Sequence, residues 1–166
     1  MPKISIIAAV SDNNALGANN DLLWHIPHDL KRFKEITKNH TVIMGNNTYL
    51  SLQVKPLPYR RNIVISRNKN NSYTGCIMAR SVEEAINYMD IDKENFILGG
   101  GVIYNLFMPF TDKMYLTVVH KEYNADVYFP DIIYPDWDVV FKEEHRQEQP
   151  EPLDFTYITL QKKISK

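Results

Sequence analysis

The sequence predicts an α/β sandwich: a mixed, mostly parallel central sheet between flanking helices, with an antiparallel C-terminal edge. Three observations carry that expectation. Up to about residue 110, short apolar runs alternate with amphipathic helix-forming stretches. Several of those runs stop on glycine or on a basic residue. From Met114 onward, strand patterns follow one another with no long helix between them, at Met114–Val119, about Asp138–Glu143, and Phe155–Gln161. No repeat, low-complexity tract or linker-like stretch interrupts the chain, so residues 1–166 are expected to form one domain.

Ile4–Val10 has few polar breaks and reads as a central strand covered on both faces; it is too short to span a bilayer and lacks a signal-peptide layout. Ser11 to Asp21 has a loop composition, with Asp12, Asn13, Asn14, Gly17, Asn19 and Asn20. It leads into Leu22–Phe33, the stretch around which the chain is arranged. Pro27 suits a first helical turn, and the helix is expected over about Asp29 to Thr37. Leu30 and Phe33 flank Asp29 on one helix face, so a carboxylate stands beside an aliphatic and an aromatic group. Two roles fit: Asp29 favours the helix N-terminus electrostatically, or it receives a flat, cationic or amidine-bearing heterocycle.

Thr41–Gly45 is the next strand, and Asn46-Asn47-Thr48 supplies capping side chains for a helix through about Leu52. Pro56–Arg61 is a turn with two basic side chains, and Asn62–Ser66 a strand closed by Arg67. Gly75–Ala79 is a weaker strand. Ser81 and Glu84 form a capping box for a helix that buries Ala85, Tyr88 and Met89. Asn95–Leu98 runs into Gly99-Gly100-Gly101, followed by a helix over Val102–Met108 that Pro109 stops. Strand, glycine and helix start recur at Gly45 and at Gly101, a geometry whose free amides suit phosphate. The glycine triplet also fits a tight turn packed against a neighbouring strand. Arg60 and Arg67 match carboxylate or phosphate oxygens bidentately, or else lie solvated on the surface.

A net charge of −1 without a long basic block gives no electrostatic footprint for nucleic acid or an anionic membrane. The single cysteine, Cys76, allows no intrachain disulfide and fits a reducing, cytoplasmic compartment. His25, His28, His40, His120 and His145 show no paired metal-ligand spacing, and no GxSxG elbow is present. No metal is expected, and the chemistry has to come from a bound cofactor.

The motifs Ile7-Ala8-Ala9, Leu16-Gly17, Leu23-Trp24-His25-Ile26-Pro27-His28-Asp29-Leu30-Lys31-Arg32-Phe33, Val42-Ile43-Met44-Gly45 with Thr48-Tyr49, Leu57-Pro58-Tyr59-Arg60-Arg61-Asn62, Leu98-Gly99-Gly100-Gly101 with Ile103-Tyr104, and Tyr115-Leu116-Thr117 stand in an order and spacing that chance does not explain. In these the chain resembles the bacterial dihydrofolate reductases over nearly its whole length. The resemblance implies NADPH-dependent reduction of 7,8-dihydrofolate to tetrahydrofolate, with a hydride passing to carbon 6 and a proton to the adjacent nitrogen.

By the same resemblance, Asp29 binds the 2-amino group and adjacent ring nitrogen of the pterin, with Thr117 sharing the network. Ile7, Ala8, Leu30, Phe33, Leu52, Leu57 and Leu98 line the folate pocket, and Arg60 holds the α-carboxylate of the glutamate tail. Trp24 positions an ordered water, and the proton arrives from water admitted beside Leu22. Burial is expected to raise the Asp29 pKa. Ala9, Leu16, Gly17, Gly45, Asn46, Asn47, Thr48, Ile65, Ser66, Arg67, Arg80, Gly99, Gly100, Gly101, Val102 and Ile103 line the NADPH site, with Tyr104 near the nicotinamide. The Gly99–Gly100 peptide is expected to be cis, and the loop from about Ser11 to Leu23 to close over the cofactor. Asn46 and Val102 depart from the family, since many relatives carry arginines there; preference for NADPH over NADH therefore leans on Arg67 and Arg80. Tyr59 stands where a glycine is common. The resemblance further implies a monomer that takes dihydrofolate and antifolate-type inhibitors. The competing expectations are a reductase of the same fold acting on another heterocycle, and a non-catalytic folate- or NADPH-binding protein.

Overall fold

The computed structural model describes residues 1–17 and 23–164. Its strands are β1 (Lys3–Ser11), β2 (Ala15–Gly17), β3 (Thr41–Gly45), β4 (Arg61–Ile65), β5 (Cys76–Ala79), β6 (Glu94–Gly99), β7 (Lys113–Val119), β8 (Val127–Tyr128), β9 (Trp137–Gln147) and β10 (Leu153–Lys162). The helices are α1 (Pro27–Thr37), α2 (Asn46–Ser51), α3 (Val82–Tyr88) and α4 (Gly101–Phe107). Eight strands form one sheet in the order β5-β4-β3-β6-β1-β7-β10-β9. The pairs from β5 through β7 are parallel, and β10 runs antiparallel to both β7 and β9.

The alternation along β1 explains the layering. Ile4, Ile6, Ala8 and Val10 join the core that holds Ala85 and Met89 near α3 and Ile103, Tyr104 and Phe107 of α4. Ile7 points the other way, into a cluster with Val42, Met44, Tyr49, Val64 and Phe96 against which Phe33 and Ile36 of α1 pack. Each face of the pleat therefore has its own helices, which is why the strand reads as almost uninterrupted apolar sequence. Trp24, Ile26, Val119, Phe155 and Tyr157 form a third cluster where the N-terminal end of α1 meets the antiparallel edge.

Local departures from expectation have local causes. Ser11 to Asp21 is not loop throughout, because β1 extends to Ser11 and Ala15–Gly17 pairs with β8 as a separate two-stranded ribbon. Asn14 takes the turn between them at φ 61°, a conformation that asparagine tolerates well. Residues 18–22, Leu22 among them, lie outside the described residues. The Ser81 hydroxyl caps α3 by accepting from the Glu84 amide at 3.0 Å, but the Glu84 carboxylate accepts from the Tyr88 hydroxyl at 3.3 Å. Tyr88 is correspondingly exposed rather than part of the buried stripe. Among the described residues, no helix is long and apolar enough to cross a membrane.

Candidate active site

Parallel strands deliver their carboxyl ends to one edge of the sheet, and the polar and glycine residues at those ends meet there. The β3–α2 and β6–α4 junctions adjoin. A Cβ on Gly45 would stand 3.0 Å from Ile103 Cγ1, and one on Gly100 would meet Thr48 Oγ1 at 3.6 Å. Gly45 and Gly100 are the N-caps of α2 and α4, so neither cap residue brings a side-chain acceptor to the first-turn amides. Gly99 is required by geometry: its φ is +110°, and a Cβ there would lie 2.9 Å from Tyr104 Cε2. The Gly99–Gly100 peptide is cis. On the far side, Gly101 faces the small ribbon, where its Cβ would come within 2.8 Å of Val127 Cγ1 and 3.9 Å of Leu16 Cδ1. Leu16 thereby borders Gly101, Gly17 pairs with Val127 in the same ribbon, and Val102 is exposed.

Further along this edge, Ile65 ends β4, the buried Ser66 follows it, and Arg67 is exposed just beyond them. Ser66 Oγ accepts from Asn71 Nδ2 at 2.8 Å, bending residues 66–71 into a compact loop. Arg80 fastens that loop: its guanidinium donates to the carbonyls of Ser66, Asn68 and Asn71 at 3.1, 2.8 and 3.0 Å. Its fork is thus engaged with backbone carbonyls of the loop that follows β4. The Asn46 side chain accepts from the Tyr73 hydroxyl.

The second half of the site lies between α1 and the sheet. Pro27 begins the helix, and the Asp29 carboxylate accepts the Thr117 hydroxyl from β7 at 2.6 Å. Its hydrogen bond therefore runs across to the sheet. Asp29 is half-buried. Burial raises its pKa above the ordinary 3.8, opposed by the Thr117 hydrogen bond and by the electrostatic influence of Arg32 and, less, of His28. Beside it, Phe33, Leu52, Leu57, Leu98 and Ile7 gather in one apolar cluster, with Tyr115 at its border. Leu30 is 53% exposed on the helix flank and Ala8 belongs to the opposite face of the sheet, so these two are not in that cluster.

Arg60 closes the far end. Its Nε donates to Thr37 Oγ1 at 2.9 Å, and its guanidinium carbon lies 5.7 Å from the Phe33 ring centroid. Tyr59 reaches this turn at φ 61°. Trp24 is buried at the other end beside Tyr123, with ring centroids 5.3 Å apart, and Ala9 packs against the same cluster. The buried Tyr104 hydroxyl joins the two halves, reaching the carbonyls of Ile7 and Leu98 at 2.9 and 2.8 Å. Burial and the nearby Asp29 carboxylate raise its pKa, so it stays a neutral donor.

Several contributors were not evident in the sequence. β8 is two residues long and carries no periodicity, yet Val127 borders Gly101. Tyr115 and Ser5 share the Glu94 carboxylate, across strands that only the sheet order makes neighbours. Among the described residues, no three His, Cys, Asp or Glu side chains form a metal-ligand group.

Comparison with known proteins agrees with this geometry. The family model described as Dihydrofolate reductase matches residues 3–162. The dihydrofolate reductase of Bacillus subtilis is 35% identical over 98% of this chain and 96% of its own length. That of Neisseria meningitidis is 41% identical over 88% and 90%. A solved structure of dihydrofolate reductase from Enterococcus faecalis, complexed with NADP(H) and RAB-propyl, superposes with a TM-score of 0.90 at 29% identity, covering 98% of this chain and 97% of that one. With a strand-end glycine cradle on one side and a helix-borne carboxylate over an apolar slot on the other, the chain belongs to the dihydrofolate reductase family.

Proposed function

We propose that the protein reduces 7,8-dihydrofolate to 5,6,7,8-tetrahydrofolate with NADPH, acting as a monomer in the cytoplasm. The observation that carries this reading is the Asp29–Thr117 hydrogen bond of 2.6 Å at the border of an apolar slot. A carboxylate oriented in this way pairs with an amino group and adjacent ring nitrogen of a pterin. Phe33 and Leu52 offer apolar contact to the ring system, and Ile7 and Leu98 floor the slot. Arg60, steadied by Thr37, holds the α-carboxylate of the glutamate tail.

The glycine cradle fits a dinucleotide, because the Gly100 Cβ position is open apart from Thr48 and two uncapped helix starts adjoin it. The first-turn amides of Asn46, Asn47 and Thr48 and of Gly101, Val102 and Ile103 hold its pyrophosphate. Arg67 takes the additional phosphate that distinguishes NADPH from NADH, and Arg80 shapes the loop that presents it. When bound, NADPH supplies the hydride. Tyr104 keeps the Ile7 and Leu98 carbonyls at a fixed separation beside the reacting ring. Asp29 orients and polarises the pterin, while Trp24 steadies a water beside it that delivers the proton to the imine nitrogen. Leu22, expected beside that water, lies outside the described residues.

The test is the initial rate of NADPH oxidation with and without dihydrofolate, with NADH run in parallel. A folate-dependent rate that favours NADPH is expected. Equal use of NADH would retain the reaction and remove the role given to Arg67. Cofactor binding without a folate-dependent rate would point to another heterocycle or to a non-catalytic binding protein.

A further inference from the structure

Sheet register places three side chains in a row beneath α1. Thr117 of β7 is the cross-strand partner of Tyr157 on β10, and Tyr157 is the partner of Glu143 on β9. Directly opposed residues share one face of a sheet, so this row runs from the Asp29 contact outward to the exposed edge. Arg32 follows Asp29 by three positions and therefore stands beside it along the helix. Its guanidinium carbon lies 4.1 Å from the Tyr157 ring centroid, and the Tyr157 hydroxyl bonds His28 Nδ1 at 2.6 Å. The Tyr157 ring is held from all sides: it is 1% exposed and contacts the rings of His28, His145 and Phe155. Arg32 is half-buried, and no described carboxylate lies within ion-pair distance of it.

We propose that Arg32 is a positioning residue for Asp29: seated on the Tyr157 ring, it holds a fixed positive charge one helical turn from the carboxylate that accepts from Thr117. This rests on the role given to Asp29 above. A guanidinium over an aromatic face is held both electrostatically and by stacking, so it keeps its place with little water around it. Thr117 of β7 is hydrogen-bonded to Asp29, and the groups coupled to its charge are His28 and Arg32 from its own helix, Tyr157 from β10 and Tyr104 from α4. Lys31, Glu35 and Glu143 lie further out, lining with His28, Arg32 and Tyr157 a cleft of about 270 Å³ that opens to solvent. Arg32 is therefore the permanent cation among the groups coupled to the carboxylate. Burial raises the Asp29 pKa and Arg32 opposes that rise.

The test is a carbon-13 NMR titration of Asp29 in the ligand-free protein, which needs no turnover. Arg32→Gln is expected to move the Asp29 midpoint upward by about 0.5 pH unit, roughly a threefold change in proton affinity. Arg32→Lys, which restores the charge, is expected to bring it back toward the original value. If Arg32→Gln does not fold, Arg32→Met, which keeps the apolar stem over the ring, is read in its place and should show the same rise. A folded Gln or Met variant with an unmoved midpoint would overturn the proposal and leave Arg32 as a packing residue. Absence of folate-dependent turnover in the unsubstituted protein would count against the function and leave this titration readable.

Discussion

The two halves of the site are built from different materials. At the carboxyl ends of β3 and β6 the working parts are backbone: glycines at helix starts, a positive φ at Gly99, and Cβ positions that must stay empty. Under α1 they are side chains, with Asp29, Thr117, Tyr157, Arg32 and His28 meeting across three elements. A backbone site tolerates many surrounding sequences provided that certain atoms are absent. A side-chain site depends on particular polar atoms being present, and on the charges around them. Substitutions should therefore fail in distinct ways, by clash in the first half and by altered charge or protonation in the second.

The largest expected effect lies in the side-chain half. Asp29→Asn should lower turnover at neutral pH by about 10²–10⁴-fold while NADPH binding is retained. The deficit should shrink toward acid pH, where substrate arrives already protonated, and a pH–rate comparison with the unsubstituted protein would show it. Equal losses of cofactor binding and turnover would erase the distinction between the halves. Next, Arg60→Gln should raise the KM for dihydrofolate by about 10–100-fold, the worth of a charge-assisted hydrogen bond, with kcat little changed. Gly99→Ala tests the backbone half. Its methyl group would meet Tyr104 Cε2 at 2.9 Å in a conformation that alanine resists, costing about 2 kcal/mol. NADPH affinity, read by titration calorimetry, should fall by about tenfold. The smallest effect should come from Tyr104→Phe, which leaves the Ile7 and Leu98 carbonyls without its hydroxyl. A loss of about 1 kcal/mol, about 3 °C in Tm, is expected.

The same contrast explains what the sequence made legible. Backbone demands are written locally: three consecutive glycines after an apolar run, or a proline two residues before an acid, announce themselves wherever the chain folds. The order of strands and helices was readable for the same reason, since hydrophobic periodicity is local. The ribbon of β2 and β8 was not, because strands of three and two residues are too short to show a period and are held by pairing to each other. The sequence marks Arg80 as a cation for the cofactor site, and only the folded loop reveals the carbonyls that take up its fork. Likewise, Arg32 and Tyr157 are 125 positions apart in the numbering, and nothing near either one signals the other. The local pattern from Pro27 to Phe33 marks Asp29, and only the sheet register shows what stands behind it.

The most direct test of the account is the melting temperature of ligand-free Asp29→Asn across pH, measured beside its turnover. Burial raises the Asp29 pKa in the folded protein above the ordinary 3.8. As pH rises from 3.8 through the folded value, the unfolded chain loses its proton first, so this group makes the fold less stable in that window and leaves it so above. Removing the charge should then raise the melting temperature at neutral pH, with the gain fading below about pH 4, in the same variant that has lost its turnover. That result would mark Asp29 as a group kept for its ligand at the fold's expense. A melting temperature lower at neutral pH than that of the unsubstituted protein would contradict the account and make Asp29 an electrostatic support for the start of its own helix.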